Sequence, residues 1–421
     1  MSRSPLPAPG PPPGTKFGAL QHRDYRRYFA LVLLSATADN IEHVISYWVI
    51  FQTFHSPMLA GFAVISHWVP FLLFSVYAGA LADRFDCRKL IQISQGLFAL
   101  ASLAWAVLFM TGTLRIWHAA VILLIHGAAG VIGLPASQLI VYDIVGPERL
   151  PSAIRLNATS RYLAILFGPA VGGGLMLLLG PGRGLLANIL IYVPFTLFLI
   201  RMPYTGHRRD PGARRATRFG FAQIRRLLRE ARSEPRLLTM IALGGTTSFL
   251  VGNAFQAQMP EYAHHLGADE AGAWYSALLA ANAVGAIIGL LLESATFVTL
   301  SARAAIVCAL VWGVLMAVFP AAQSYPAAVI VLGMAGIFNV AFTSMAQTIV
   351  QLLAPPHLRG SMVGLFNTSM LGLRAGSGLT VGVLGALIGV QWSLTFSSAA
   401  VVLVALGLLA VEARARQRPS A

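Results

Sequence analysis

Long apolar runs separated by short polar breaks extend from residue 28 to residue 411. A helix needs ~20 residues to cross ~30 Å of hydrocarbon. Runs of that order lie at 28–52, 59–82, 90–111, 117–141, 156–179 and 184–202. A second set lies at 236–260, 271–293, 303–321, 327–352, 362–388 and 392–411. The pattern predicts an all-α membrane protein with twelve transmembrane helices in two pseudo-symmetric six-helix bundles.

The two sets align at a shift of 210 residues. Gly79, Leu81 and Asp83 fall on Gly289, Leu291 and Glu293, and Arg149 falls on Arg359. Asn157, Gly168, Val171 and Gly172 fall on Asn367, Gly378, Val381 and Gly382. Duplicated halves with a site between them are the pattern of secondary transporters. The expected organisation is a disordered tail at 1–22, a first bundle at 23–202, a basic linker at 203–235, a second bundle at 236–412 and a tail at 413–421.

Composition excludes a soluble protein: 57% of residues are hydrophobic, 11% are charged and the mean hydropathy is +0.70, against ~25% charged in soluble domains. The positions of the thirty Lys and Arg residues give the expected orientation. With the N-terminus inside, only Arg115 and Arg183 fall in outer loops, and only Arg161 and Arg374 fall deep within spans, Arg201, Arg236 and Arg303 standing at the inner ends of theirs. The positive-inside rule then puts both termini in the cytoplasm. The net charge of +15 is concentrated beside anionic lipid, so it argues for a bilayer and not for nucleic acid. Within the linker, FAQIRRLLREARSEP reads as a basic amphipathic helix on the membrane surface.

The candidate chemistry sits on the first span. At 100° per residue Asp39, Glu42, His43 and Ser46 share an arc of about 100°, while Ile41, Val44 and Ile45 point away. Ionisable groups at membrane depth cost ~2.5–3.5 kcal/mol each on insertion scales and face the bundle interior or a wet cavity. This face is therefore expected to line the pathway, where His43 and the two carboxylates share a proton or hold substrate. Arg161 and Arg374 are the expected counter-charges, or else they hold a substrate anion. Tyr47, His67, His126, Asn253, Gln256, Asn282, Asn339, Gln347 and Gln351 are further polar residues within spans, with Trp48 and Trp68 as aromatic ones. Cavity lining and interhelical bonding are both open to them. Cys87 and Cys308 lie too far apart in the topology for a disulfide. There is no nucleotide loop of the form G-x-x-x-x-G-K-[ST], no H-E-x-x-H pair, no Cys/His metal cluster and no G-x-S-x-G elbow, so neither an enzyme nor a cofactor nor a bound metal is expected.

The loop GALADRFDCRKL at 79–90 matches, at Gly79, Leu81, Ala82, Asp83, Arg84 and Arg88, the motif G-x-L-A-D-R-x-G-R-R-x-x-L, with Lys89 and Leu90 at its unspecified positions. It resembles the major facilitator superfamily. There the loop implies a cytoplasmic gate, with Gly79 allowing close helix approach and Asp83, Arg84 and Arg88 meeting helix ends or lipid phosphate. Asp86 stands where the motif has Gly, which leaves the turn geometry open. GPAVGG at 168–173 resembles a span-5 motif associated with exporters; Gly168, Gly172 and Gly173 would admit a neighbouring helix and Pro169 would allow bending. The R-x-x-Q-G pattern of many proton-coupled drug exporters is missing, because Leu123 and His126 stand at its Arg and Gln positions.

Over roughly residues 23–412 the chain is similar to the enterobactin-exporter-like group. The resemblance implies an inner-membrane exporter of a siderophore-like or drug-like small molecule; the ionisable face of the first span adds the expectation of proton coupling, and the protein is expected to be a monomer. The alternatives are a lipid or metabolite carrier of the same fold, such as a lysophospholipid flippase or an importer, and a non-transporting sensor or scaffold.

Overall fold

The computed structural model describes residues 18–207, 225, 228–232, 234–267, 272–294, 301–354 and 359–417. Among these the chain is almost wholly helical, with no strand. The first half holds α1 (Arg23–Phe54), α2 (Pro57–Arg84), α3 (Cys87–Thr111), α4 (116–145), α5 (147–179) and α6 (181–201). The second holds α7 (Pro235–Leu250, continued by Ala254–Ala257 and Met259–His265), α8 (Ala273–Ser294), α9 (Ala302–Val318), α10 (Tyr325–Leu353), α11 (359–388) and α12 (Val390–Gln417).

Ten segments among the described residues are long and apolar enough to cross a membrane, one of which, Ser152–Arg201, runs through Gly180 and so covers two helices. Helix α1 is absent from these ten because Asp39, Asn40, Glu42 and His43 dilute its apolar character. The same residues make it the most chemically loaded helix of the bundle.

Local chemistry sets the helix ends. Gly146 (φ 70°) and Gly180 (φ 77°) adopt backbone that side chains disfavour, and each is followed by a proline that starts the next helix. Ser56 accepts from Leu59 N at 3.3 Å to cap α2. Asp86 caps α3 by accepting from Arg88 N at 3.0 Å, and its φ of −55° needs no glycine. The aspartate at the motif's glycine position thus replaces turn flexibility with a cap, which Arg88 reinforces through an ion pair of 2.6 Å to Asp86 Oδ2.

Three expectations change. The stretch 1–22 is packed rather than loose from residue 18 on: Gly18–Gln21 form a 3-10 turn, and buried Ala19 donates its N–H to Ser152 Oγ. Helix α12 continues to Gln417, past the expected boundary at 412. The seventh and eleventh spans are not continuous helices. Helix α7 opens at 251–253 around Gly252 (φ 45°). Helix α11 carries π turns at Thr368–Gly372 and Gly378–Val383. Much of the basic linker lies outside the described residues.

The apolar core falls into three clusters. One, containing Tyr25, Ile91, Ile140 and Leu199, belongs to the first half at the face that carries the chain termini. A second, with Met240, Ile306, Phe342 and Met362, belongs to the second half at the same face. The third, at the opposite face, runs across both halves, from Ile45 and Trp105 to Tyr275 and Trp312. Contacts of the same kind join the halves there: Trp48 stacks on Tyr275 at 5.6 Å, and Gln258 Nε2 donates to Pro57 O at 3.0 Å. Along α2, Gly61 is pressed against Gly378 and Gly382 of α11, whereas Gly79 near the other end meets nothing within 4 Å. The close approach expected at Gly79 is therefore absent, and the halves are joined at the face away from the termini.

Two outcomes test this packing. A Cβ at Gly168 would lie 2.3 Å from Asn40 Cβ, while one at Gly174 would meet nothing within 4 Å. Alanine gains up to ~1 kcal/mol of helix propensity over glycine, but overpacking costs ~1–3 kcal/mol. Gly168→Ala should therefore lower the unfolding midpoint in detergent and Gly174→Ala should not; equal midpoints would contradict the close fit of α5 on α1. The second outcome concerns the α3 cap. Its hydrogen bonds to Arg88 hold the Asp86 carboxyl below its ordinary range, so the stabilisation is present above the unfolded carboxyl's pKa and is lost as pH falls through the depressed one. Asp86→Ala should cost about 1 kcal/mol at neutral pH and progressively less in acid. A pH-independent difference would rule out the charged cap.

Candidate functional site

Helix proximity at the centre of the first half is set by small residues. A Cβ at Gly127 on α4 would lie 2.2 Å from Ser66 O and 3.2 Å from His67 Cα, so α4 touches the backbone of α2 beside His126. On α5, Gly168 and Gly172 admit Asn40 and Val44 of α1, and Gly173 meets Ser276 of α8. The result brings α1, α2 and α4 together with His43, His67 and His126 facing one another.

His126 stands between the two carboxylates. Its Nδ1 lies 2.8 Å from Glu42 Oε1, and its Nε2 lies 3.0 Å from Asp39 Oδ1. The first contact is an aligned hydrogen bond. The second is a close approach of charges off the ring N–H direction, so that neither Nε2 nor Oδ1 makes a hydrogen bond. Ser102 of α3 donates to Glu42 Oε2. Asn188 of α6 donates to Ala38 O at 3.0 Å and reaches Ser102 Oγ at 3.4 Å. Glu42 is thus held by α3 and α4, with α6 behind Ser102.

His43 donates Nδ1–H to the Asp39 carbonyl at 2.8 Å, and its Nδ1 is 3.7 Å from Asp39 Oδ1. Its ring packs edge-on against His126 at 4.6 Å, His67 at 5.1 Å and Tyr47 at 5.3 Å. A small cavity opens onto the cluster, lined by Glu42, His43, Ser46, Ala63, His67, Leu123 and His126.

The single polar face expected on α1 divides in two. Asp39 and His43 keep part of their surface accessible, whereas Glu42 is only 2% exposed and turns into the first half. Ile41, Val44 and Ile45 are buried as well, so α1 is enclosed around this turn.

The expected arginine counter-charges are not the partners of this cluster. Among the described residues neither Asp39 nor Glu42 has an arginine within ion-pair distance; both meet His126. Arg161 is exposed on α5. Arg374 donates to Met370 O at 3.1 Å and lies 5.0 Å over the Trp68 ring, beside His67. Helical register shows which residues share a face of one helix but not which helix that face meets, so the histidine on α4 was hidden as a partner.

The other candidates scatter. Ser46 donates to His43 O at 3.3 Å. Asn282 donates to Leu332 O at 3.1 Å and so ties α8 to α10. Asn253 and Gln256 sit half-buried at the break of α7, Asn339 and Gln347 are half-buried on α10, and Gln351 is exposed. None of these four half-buried amides hydrogen-bonds the cluster. Pro169 is buried in α5. Arg84 is exposed, while Arg88 Nη1 donates to Met202 O and ties the start of α3 to the end of α6; Asp83 lies in the last turn of α2. Ser102 and Asn188 carried no sequence signal, being small or lone polar residues in otherwise apolar runs.

The chain is similar in fold to several solved transporters. The nucleoside transporter NupG matches with a TM-score of 0.70 at 15% identity, covering 92% of this chain and 98% of that one. A bacterial homologue of the human lysosomal transporter Spinster, inward-facing and unoccupied, matches with a TM-score of 0.67 at 13% identity over 92% and 96%. A D-xylose–proton symporter matches with a TM-score of 0.65 at 14% identity over 93% and 97%. In sequence, the staphyloferrin A transporter of Staphylococcus aureus (strain NCTC 8325 / PS 47) is 23% identical over 157 residues, 37% of this chain and 39% of that protein's length. Residues 14–420 match the family of transmembrane secretion effectors, and with that span and the twelve-helix fold the chain belongs to this family of major facilitator transporters.

Proposed function

We propose that the protein is a secondary active exporter of a siderophore-like or drug-like small molecule, proton-coupled and working by alternating access of its two halves. The observation that carries the reading is the buried Asp39–His126–Glu42 arrangement. Charges this deep are retained at a cost, and in transporters they mark ion and substrate pathways. The fold and family point to a transporter rather than to an enzyme.

A proton on this cluster has two carboxylates to stabilise it and a neighbouring imidazole, His43, to receive it. Asp39 and His43 border the accessible side, while Glu42 holds His126 from within. Binding a proton from the outer side neutralises Asp39 and releases His126 from it; losing that proton inside restores the pair and the loading state. With the termini in the cytoplasm of a bacterium and the chain in its inner membrane, the joined face is the outer one. That arrangement supports an inward-facing state, open for loading. The similarity to the staphyloferrin A transporter supports a chelator-type cargo. Gly79, Asp83, Arg84 and Arg88 would tune closure at the inner face without touching cargo, and the protein would act as a monomer.

The test uses inverted vesicles with a pH-sensitive dye, screened with siderophores and cationic drugs. Wild-type protein should show cargo-dependent proton release. Asp39→Asn and His126→Gln should each reduce it about tenfold or more, equivalent to ~1.4 kcal/mol of barrier, and flatten its pH dependence. Cargo uptake with an unchanged pH profile in both variants would remove the cluster from the coupling step. Arg161→Gln, on the exposed side of α5, should leave coupling intact.

A further inference from the structure

We propose that His43, His67 and His126 form a binding site for one divalent transition-metal ion, with Asp39 as an additional ligand. One ring nitrogen from each histidine lies within 4.8 Å of the other two. A zinc-type ion with bonds of ~2.0–2.1 Å to imidazole holds its ligand atoms roughly 3.3 Å apart, so side-chain rotation of an ångström or so closes the site.

The donors are already oriented for this. Metal-bound histidines usually donate their other ring N–H to a carboxylate or backbone carbonyl, which fixes the tautomer and presents the free lone pair. His126 gives Nδ1 to Glu42 at 2.8 Å, and His43 gives Nδ1 to the Asp39 carbonyl at 2.8 Å. Both Nε2 atoms are then the lone-pair nitrogens. His67 adds Nδ1, which is buried and has no hydrogen-bond partner.

An independent observation points to a cation. With Nδ1–H given to Glu42, Nε2 of His126 approaches Asp39 Oδ1 to 3.0 Å, off the axis of its own lone pair. Both atoms are buried and neither is hydrogen-bonded. Two acceptors held this close need a positive charge between or beside them. A second proton on His126 meets that need in the coupling cycle, and a metal ion meets it equally well: 3.0 Å is a normal separation for two ligands on adjacent positions of one ion.

The charge balance also closes. Three neutral imidazoles and the carboxylates of Asp39 and Glu42 carry −2, which a divalent ion cancels. Arg374, over Trp68, is a further positive charge outside this balance. The imidazole-rich set suits Zn²⁺, Co²⁺ and Ni²⁺, whereas Mg²⁺ and Ca²⁺ require oxygen cages. Proton and metal would compete for the same nitrogens. The proposal itself requires no transport, so it stands or falls separately from the exporter reading.

The experiment uses the full chain, free of any histidine tag, in detergent and without a gradient. Titration with Co²⁺ should give intense visible ligand-field bands saturating at one ion per chain, unaffected by excess Mg²⁺ and displaced by Zn²⁺. His43→Ala and His67→Ala should each weaken binding at least about tenfold, and Glu42→Gln by about 10–100-fold, as outer-shell partners do. His264→Ala, in the separate histidine pair on α7, should bind as wild type. X-ray absorption of the Zn²⁺-loaded wild type, which needs no variant to fold, should show several imidazole ligands. A weak octahedral Co²⁺ spectrum, an absorption spectrum without imidazole scattering, or wild-type affinity in folded His43→Ala and His67→Ala would overturn the proposal.

Discussion

The first half is organised around one electrostatic requirement: two carboxylates on one turn of α1 must be compensated inside a membrane. An isolated ion there costs several kilocalories per mole, and leaving one partner of a buried pair uncompensated costs about 3–5 kcal/mol. His126 meets both carboxylates at once. For it to do so, α4 must come within backbone contact of α2, which Gly127 permits, and α5 must close on α1, which Gly168 permits. Ser102 and Asn188 complete the shell from α3 and α6. Five of the six helices of this half are thus placed by the needs of a few polar atoms, and α2 supplies the sixth face through His67.

That dependence explains what was legible beforehand. Span positions follow from apolar length, so most helix ends emerged from the sequence to within a turn or two, whereas α5 starts nine residues before its expected span. Where a Gly–Pro pair ends a helix, as at 146–147 and 180–181, the break is written in backbone chemistry. The opening of α7 at Gly252 and the π turns of α11 lie inside apolar runs, and hydropathy does not register a change of hydrogen-bond register. Asp39, Glu42 and His43 were visible as ionisable residues in a span. Their partner was not, because pairing depends on the rotation of α4 against α1. Arginine was the natural expectation on charge, yet Arg161 lies on the exposed side of α5. His126 had instead stood out as a departure from the drug-exporter pattern at the end of R-x-x-Q-G, and that departure is the residue on which the cluster turns.

The two halves share a frame but use it differently. At the shift of 210, Gly168 and Gly172 correspond to Gly378 and Gly382. The first pair seats α5 against α1 within its own half, while the second pair seats α11 against Gly61 across the interface. The same small residues at the same helical register therefore build an internal joint in one half and an inter-half joint in the other. Duplication preserved the places where helices can approach closely and left the neighbours to be set by topology.

The asymmetry extends to the chemistry. Asp39, Glu42, His43, His67 and His126 map by the same shift onto Phe249, Gly252, Asn253, Ala277 and Gly336. The second half carries no counterpart of the ionisable cluster; where Glu42 stands in the first, Gly252 in left-handed backbone opens α7 in the second. Ser102, which donates to Glu42, maps onto Trp312, a buried apolar residue. One half concentrates charge at its centre and needs a rigid shell to hold it, since a displaced partner would strand a buried ion. Among the described residues the other half has no buried carboxylate pair of this kind; its span-embedded ion, Arg374, sits on α11 between the two π turns, with its guanidinium over Trp68 of the first half. The departures from regular helix thus fall in α7 and α11, in the half that lacks the carboxylate pair.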